Sequence, residues 1–332
     1  MSAFTETGPS VPVTESIRVD KVSPRARLSK NLRAILVVIV ALIGLVPVLI
    51  MGLTAFKSRA DVVAVPPRFI FQPTLEGVVF LLTERSNLTG KRLEEAKKNI
   101  DNLGLFERVA LQNGQIVNGP SDFVMRLRNS LIIAGGSTIA SVILGVFAAY
   151  AFSRFNMPGK DDLLFFILST RMLPAVVVTI PLFLMYRQLG LHDTHLGMIL
   201  LYTVFNLSLT VWLLKGFIDE IPKEYEEAAL VDGYSRLQAF FKIVLPQAAT
   251  GIAATTVFAL IFAWNEYAFA LMLTSQDART APPAIATMQG RGGIEWSAIA
   301  AGSLVFLIPV VIVTFALRKH LLRGVTFGAI RQ

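Results

Sequence analysis

The chain has no cysteine among its 332 residues, which removes disulfides, thiolate metal sites and cysteine nucleophiles from consideration. Histidine is scarce too. His192, His195 and His320 are too scattered for a metal cluster, so no metal site is expected; the first two are read as loop residues beside a helix end. Charge is thin, at 16% of residues against 54% apolar. No ordinary globular surface can be built from that ratio, and the chain is read as an all-α integral membrane protein. The net charge of +8 raises the question of nucleic acid. The basic residues flank apolar runs instead of forming one stripe with interleaved aromatics, so a membrane partner is preferred and no nucleic acid is expected.

Six apolar runs can each cross about 30 Å of hydrocarbon, which takes roughly 20 helical residues. They are Ala34–Phe56, Ser130–Phe152, Leu163–Leu189, Leu196–Leu214, Ala248–Thr274 and Ser297–Leu317. The first is too long for a signal-peptide core, and no small-residue cleavage site follows it. With six transmembrane helices both ends lie on one side. The N-terminal tail, Ser153–Asp162, Lys215–Gln247 and the C-terminal tail together carry 16 Lys and Arg, while the two short opposite connections carry three, Arg187, Arg279 and Arg291. That asymmetry predicts cytoplasmic termini; the segment Lys57–Asn129 is too long to count. Residues 1–33, rich in Ser, Thr, Pro and charge, are expected to be a disordered tail, 34–56 the first span and 57–128 an insertion on the outer side. Within the insertion Leu93, Ala96, Ile100 and Leu103 follow helical spacing, with Glu94 and Lys98 placed for an i,i+4 pair. Ser137, Ser141, Gly145 and Ala149 recur every fourth residue on the second span, a stripe that lets another helix approach closely.

Two formally charged residues lie well inside the spans, Arg171 and Glu266. Each is expected to face a cavity or a partner, because an ionised side chain there costs roughly 2.5–3.5 kcal/mol. On straight helices Arg171 lies about 12 Å along its span and Glu266 about 27 Å along its own, so a direct pair is not expected. Glu266 has Trp264, Asn265 and Tyr267 around it. A carboxylate, an amide and aromatic faces suit a sugar, and the same residues suit helix–helix bonding and interface anchoring. Asn206 is weighed the same way. Arg171, followed by Pro174 and Pro181, fits a broken, cavity-lining helix and fits equally a side chain that snorkels to the inner face.

Between the fourth and fifth spans lies "EEAALVDGYSRLQAFFKIVLP", Glu226–Pro246. Pro222 suits a first turn, and Glu224, Glu226 and Glu227 follow where the helix dipole favours negative charge. Gly233 can end that helix in the left-handed conformation. Ser235 with Gln238 predicts a capping box for a second helix, and Pro246 marks a break before the fifth span. Taken physically, this is a short helix, a sharp turn and a second helix at the inner face, or an amphipathic pair lying on lipid.

The stretch also fits E-A-A-x3-G-x9-I-x-L-P through Glu227, Ala228, Ala229, Gly233, Ile243, Leu245 and Pro246. It thereby resembles the membrane subunits of ABC-type importers. "AYAFSRFNMPGK", "RMLPAVVVTIPLFLMY" and "FAWNEYAFALML" look like the carbohydrate-uptake branch, which includes the maltose-type permease subunits. The resemblance covers about Asn129 to the C-terminus and implies a five-helix permease domain over 129–332. It implies that the loop at 218–247 holds the coupling helix pair, with Glu227–Gly233 docking on an ATPase. It further implies a second permease subunit, an ATPase dimer, an extracytoplasmic solute-binding protein and a sugar or polyol as cargo, in a bacterial cytoplasmic membrane. The closing "RGVTFGAIRQ" resembles only loosely the family ending that reaches the ATPase.

The chain itself is expected to carry no cofactor and to be no enzyme. Gly90-Lys91 and Gly159-Lys160 suggest a phosphate loop, but Arg85 and Arg154 occupy the positions where that motif needs its first glycine. ATP and Mg therefore belong to the separate ATPase. The rivals are an ion-coupled secondary transporter or channel, for which more intramembrane carboxylates are expected, and a membrane enzyme, for which no nucleophile–base arrangement is in sight.

Overall fold

Each apolar run becomes a helix, and the residues at its ends decide where it stops. The computed structural model describes residues 24–290 and 293–327. Helix α1, Pro24–Ala55, is one continuous 32-residue element. It begins ten residues before the predicted span, so 24–33 are helical and not a tail. Pro24 is favoured at a first helical position, and Arg25, Ala26, Arg27 and Leu28 are good helix formers. Residues 1–23 lie outside the described chain. Contacts divide the protein into residues 1–50 and a second unit from Met51 onward.

The second unit opens with the insertion, which is more structured than its sequence suggested. Helix α2, Glu76–Leu82, leads into strand β1, Thr83–Asn87. Then come helix α3, Lys91–Lys98, helix α4, Leu105–Gln112, and strand β2, Gln115–Pro120. The strands pair antiparallel with Asn87 opposite Gln115. The single helix expected from Leu93 to Leu103 breaks at Asn99, and a one-turn 3-10 segment, Ile100–Asn102, follows. Glu94 and Lys98 are both exposed and form no ion pair.

Helix α5, Phe123–Arg154, is the second span. The third is interrupted: α6, Lys160–Met172, and α7, Ala175–Gln188, meet at 93° across Leu173 and Pro174. Proline removes a donor and pushes its predecessor out of the helical region. Helix α8, His195–Asp219, is the fourth span. Helix α9 covers Glu224–Val231, and α10, Arg236–Gln247, meets α11, Ala249–Trp264, at 73°. The predicted fifth span ran on to Thr274. Instead α11 stops at Trp264, and a separate helix α12, Ala268–Leu273, follows. After helix α13, Ala281–Ala286, the last span is α14, Trp296–Phe327. Among the described residues four helices are long and apolar enough to cross a membrane unbroken, or six spans if each bent pair is counted as one.

Packing is most extensive between α5 and α8. The small-residue stripe makes that contact: Ser137, Ser141, Gly145 and Ala149 are all buried. A Cβ added to Gly145 would strike Thr210 Cγ2. At the insertion end the connections are bound by polar contacts. The Asp193 carboxylate accepts backbone N–H bonds from Ser275, Gln276, Asp277 and Ala278 at 2.9–3.2 Å. Burial alone would raise that carboxyl's pKa; the four donors outweigh it and hold it below the usual range. Asn129 donates through Nδ2 to the carbonyls of Asp277 and Arg279, and its Oδ1 accepts from His195 Nε2.

Candidate functional site

The elbow formed by α9 and α10 is built by local signals. Pro222 falls just before the helix, which begins at Glu224 with Lys223 as its cap. Glu224, Glu226 and Glu227 occupy its first turn. Gly233 adopts φ +88°. Around it the Tyr234 N–H donates to Ala229 O at 3.0 Å and the Gly233 N–H to Leu230 O at 3.1 Å, the paired bonds of a Schellman ending. Ser235 and Gln238 complete the reciprocal capping box. The second helix then widens to π geometry over Phe240–Val244, a local defect common at functional positions. Phe240, fully buried, stacks near Tyr150 at 4.7 Å and Phe147 at 5.4 Å between ring centres.

The two faces of α9 differ. Glu226 and Ala229 point inward and are buried, while Glu227 and Ala228 are exposed. Tyr225 is 54% and Val231 87% exposed. Beyond the turn, Leu237 and Phe241 are exposed as well. The motif residues therefore split: Glu227, Ala228 and Gly233 lie on the outer surface, whereas Ala229 packs inward and Ile243 and Leu245 are half-buried before Pro246.

Sequence reasoning missed what holds the elbow. Arg154, in the last turn of α5, forms an ion pair with Glu226 through Nε, and both side chains are at most 9% exposed. The same guanidinium donates from Nη1 to Ser153 Oγ and from Nη2 to Ile221 O, each at 2.9 Å. Tyr150, one turn earlier, donates to the other Glu226 oxygen at 3.0 Å. Ser153 in turn donates to Asp219 at the end of α8. The only sequence hints were a tyrosine and an arginine four apart at the end of an apolar run.

A second location lies within the spans. A cavity of about 290 Å³ is lined by Arg171, Tyr202, Asn206, Phe262, Glu266 and Phe269, among others. Three of the six candidate pathway residues thus share one space. Arg171 and Glu266 form no ion pair, as expected, but both border this space, because the bend at Pro174 and the early end of α11 defeat the straight-helix depth argument. The Arg171 guanidinium instead lies 4.6 Å from the Phe262 ring centre. Glu266 accepts from Tyr202 Oη at 2.6 Å and from the N–H groups of Phe269 and Ala270 at 2.8 and 3.0 Å. It caps α12 while facing the cavity. Asn206 Nδ2 donates to Ala259 O at 3.1 Å.

The other three candidates lie outside it. The Trp264 indole N–H donates to Phe306 O, and its ring stacks on Phe306 at 4.6 Å. Asn265 closes the end of α11 by donating to Ile261 O. Tyr267 is 40% exposed. Trp264 faces Phe306 as the last residue of α11, and the break at 265–267 takes Asn265 and Tyr267 off the positions that a continuous helix would give them. Among the described residues no group of His, Asp and Glu could hold a metal ion.

Comparison with known proteins follows the same lines. A family model described as "Binding-protein-dependent transport system inner membrane component" matches residues 141–327. The "Probable ABC transporter permease protein y4oR" of Sinorhizobium fredii is 30% identical, over 88% of this chain and 92% of that protein. The "Trehalose/maltose transport system permease protein MalG" of Thermococcus litoralis is 32% identical, over 78% of this chain and 91% of that protein. The "Trehalose transport system permease protein SugB" of Mycobacterium tuberculosis is 39% identical, over 63% of this chain and 77% of that protein. In fold, the chain is similar to a subunit of a bacterial ABC transporter involved in the import of alginate. That likeness has a TM-score of 0.60 at 22% identity and covers 90% of this chain and 98% of that one.

Proposed function

The chain belongs to the inner-membrane components of binding-protein-dependent transport systems, and from that we propose that it is one half of a heterodimeric, ATP-driven importer for a sugar or sugar-like solute. The sugar class is supported by the trehalose and maltose systems named for its relatives, and by a cavity that joins aromatic surface to a carboxylate, an amide and a guanidinium. Both termini and the elbow face the cytoplasm, where an ATPase dimer binds ATP and Mg and closes. An extracytoplasmic binding protein delivers the solute, and the insertion at 57–128 lies on that side.

One observation carries the reading of the elbow. Helix α9 fixes its inner face through Glu226 and Ala229 yet leaves Tyr225 and Val231 exposed on a rigid, capped turn. Exposed apolar residues on a preorganised element suit docking in a cleft. Glu227, Ala228 and Gly233 thus present the ATPase-facing surface. Arg171, Asn206 and Glu266 line the pathway. An ion-coupled carrier is the less favoured reading: one carboxylate borders the cavity, and such a carrier has no use for the docking turn.

The test uses the absence of cysteine. Single cysteines at Tyr225, Ala228 and Val231 in the whole purified complex should crosslink to a co-purifying ATPase. Hydrolysis by that complex should rise with loaded binding protein. Failure of all three positions to capture an ATPase, in every nucleotide state, refutes the proposal.

A further inference from the structure

We propose that Arg154, Glu226 and Tyr150 form the joint through which displacement of the elbow reaches the second span. They act as positioning residues that set how much transport each ATP delivers. This rests on the docking role of α9 and says what that role requires inside the chain.

The docking surface cannot by itself move a span. Helix α9 is eight residues long and exposes most of its residues, so a push upon it could be absorbed by sliding or tilting. Apolar contact resists sliding weakly, because dispersion is non-directional. The buried cluster is directional. Glu226 is held at both oxygens, by Arg154 through one and by Tyr150 through the other. Those two residues sit one turn apart on α5, so the single Glu226 carboxylate of α9 is tied to two points on the span and its direction is fixed relative to α5.

Arg154 extends the grip. Its remaining nitrogens bind Ser153 on its own helix and the carbonyl of Ile221, just after α8. Ser153 holds Asp219, the last residue of α8. The ring of Tyr150 packs on Phe240 of α10. Helices α5, α9 and α10 and the segment just after α8 therefore meet at one planar guanidinium and one phenol, with Ser153 adding the end of α8. Arginine is the residue that can make such a multi-way connection with a single charge, and lysine is not its equivalent. Because the pair is shut from water, its attraction is screened little by salt. From here α5 runs to its close packing on α8 through Gly145 and Thr210, and α8 carries Tyr202 and Asn206 into the cavity. A contiguous chain of packed groups thus connects docking surface to cavity.

The experiment reconstitutes the whole importer in liposomes and reads solute moved per ATP hydrolysed. Crosslinking from a cysteine at Ala228 to the ATPase is measured in parallel. Arg154→Gln and Glu226→Gln should lower the ratio by roughly 2- to 30-fold, the range seen for residues along a coupling route, while the crosslink persists. Arg154→Lys should fall between Arg154→Gln and the native chain. Tyr150→Phe, which keeps the ring on Phe240 and removes one bond, covers the case in which the charge variants do not assemble; it should lower the ratio less than they do. A native ratio in assembled Arg154→Gln, or in Tyr150→Phe when that alone assembles, would overturn the inference and leave the cluster a brace of the fold. Loss of the crosslink in the variants would overturn it too, since the cluster would then act on docking. Absence of a crosslink in the chain that carries only the Ala228 cysteine would instead overturn the docking role itself.

Discussion

Replacing Gly233 isolates backbone conformation from every other effect. Its φ of +88° lies in the left-handed region, and no atom stands within 4 Å of where a Cβ would be placed. Steric collision with the rest of the protein therefore drops out. What remains is the cost of forcing an L-residue into that region, about 1–2 kcal/mol. Asn tolerates the conformation best among other residues, and β-branched Val tolerates it worst. A penalty of about 1–2 kcal/mol shifts the closed-to-open ratio of the turn roughly 5- to 30-fold. Opening releases the bonds from Tyr234 and Gly233 to the end of α9 and leaves the exposed surface proposed for docking without a fixed shape. Stimulation of ATP hydrolysis by loaded binding protein, measured in the reconstituted complex, should fall in the order Gly, Asn, Ala, Val. The amount of chain in the membrane should stay constant, because the elbow is exposed and lies outside the spans. Full stimulation in Gly233→Val, or a worse result for Asn than for Val, would refute the reasoning.

Three further outcomes are expected. Gly145→Val should lower the thermal stability of the detergent-solubilised protein by about 1–3 kcal/mol through overpacking against Thr210, and Thr210→Ala should restore part of it. Asp193, its carboxyl held below the usual range by four backbone donors, contributes stability that is present above the ordinary carboxylate pKa of about 3.9 and lost as pH falls through its lower folded-state value. Asp193→Asn should unfold more easily at neutral pH and lose that acid dependence when unfolding is followed from neutral pH downward. Glu266→Gln should raise the KM for solute uptake about 2- to 10-fold, the worth of one hydrogen bond, and an unchanged KM would confine Glu266 to capping α12.

What the sequence made legible was local. The end of α9 at Gly233 and the Ser235–Gln238 box are decided within a few residues, and both formed as expected. The small-residue stripe needed only helical periodicity. What it hid was non-local. Arg154 and Glu226 are 72 positions apart, and nothing in either neighbourhood names the other. The insertion's strands pair across two intervening helices, so no hairpin turn announces them. Trp264 ends α11, and Asn265 and Tyr267 fall in a break after it that apolar composition conceals. The same break, with the bend at Pro174, undid the depth offset between Arg171 and Glu266.

The interrupted third and fifth spans leave peptide groups short of helical partners, and residues on both sides of those interruptions border one cavity. Lipid does not tolerate such groups, whereas protein or trapped water does. Wherever these interruptions lie at membrane depth, their peptide groups must therefore be covered by protein or by trapped water, and the cavity beside them is a place that can hold such water.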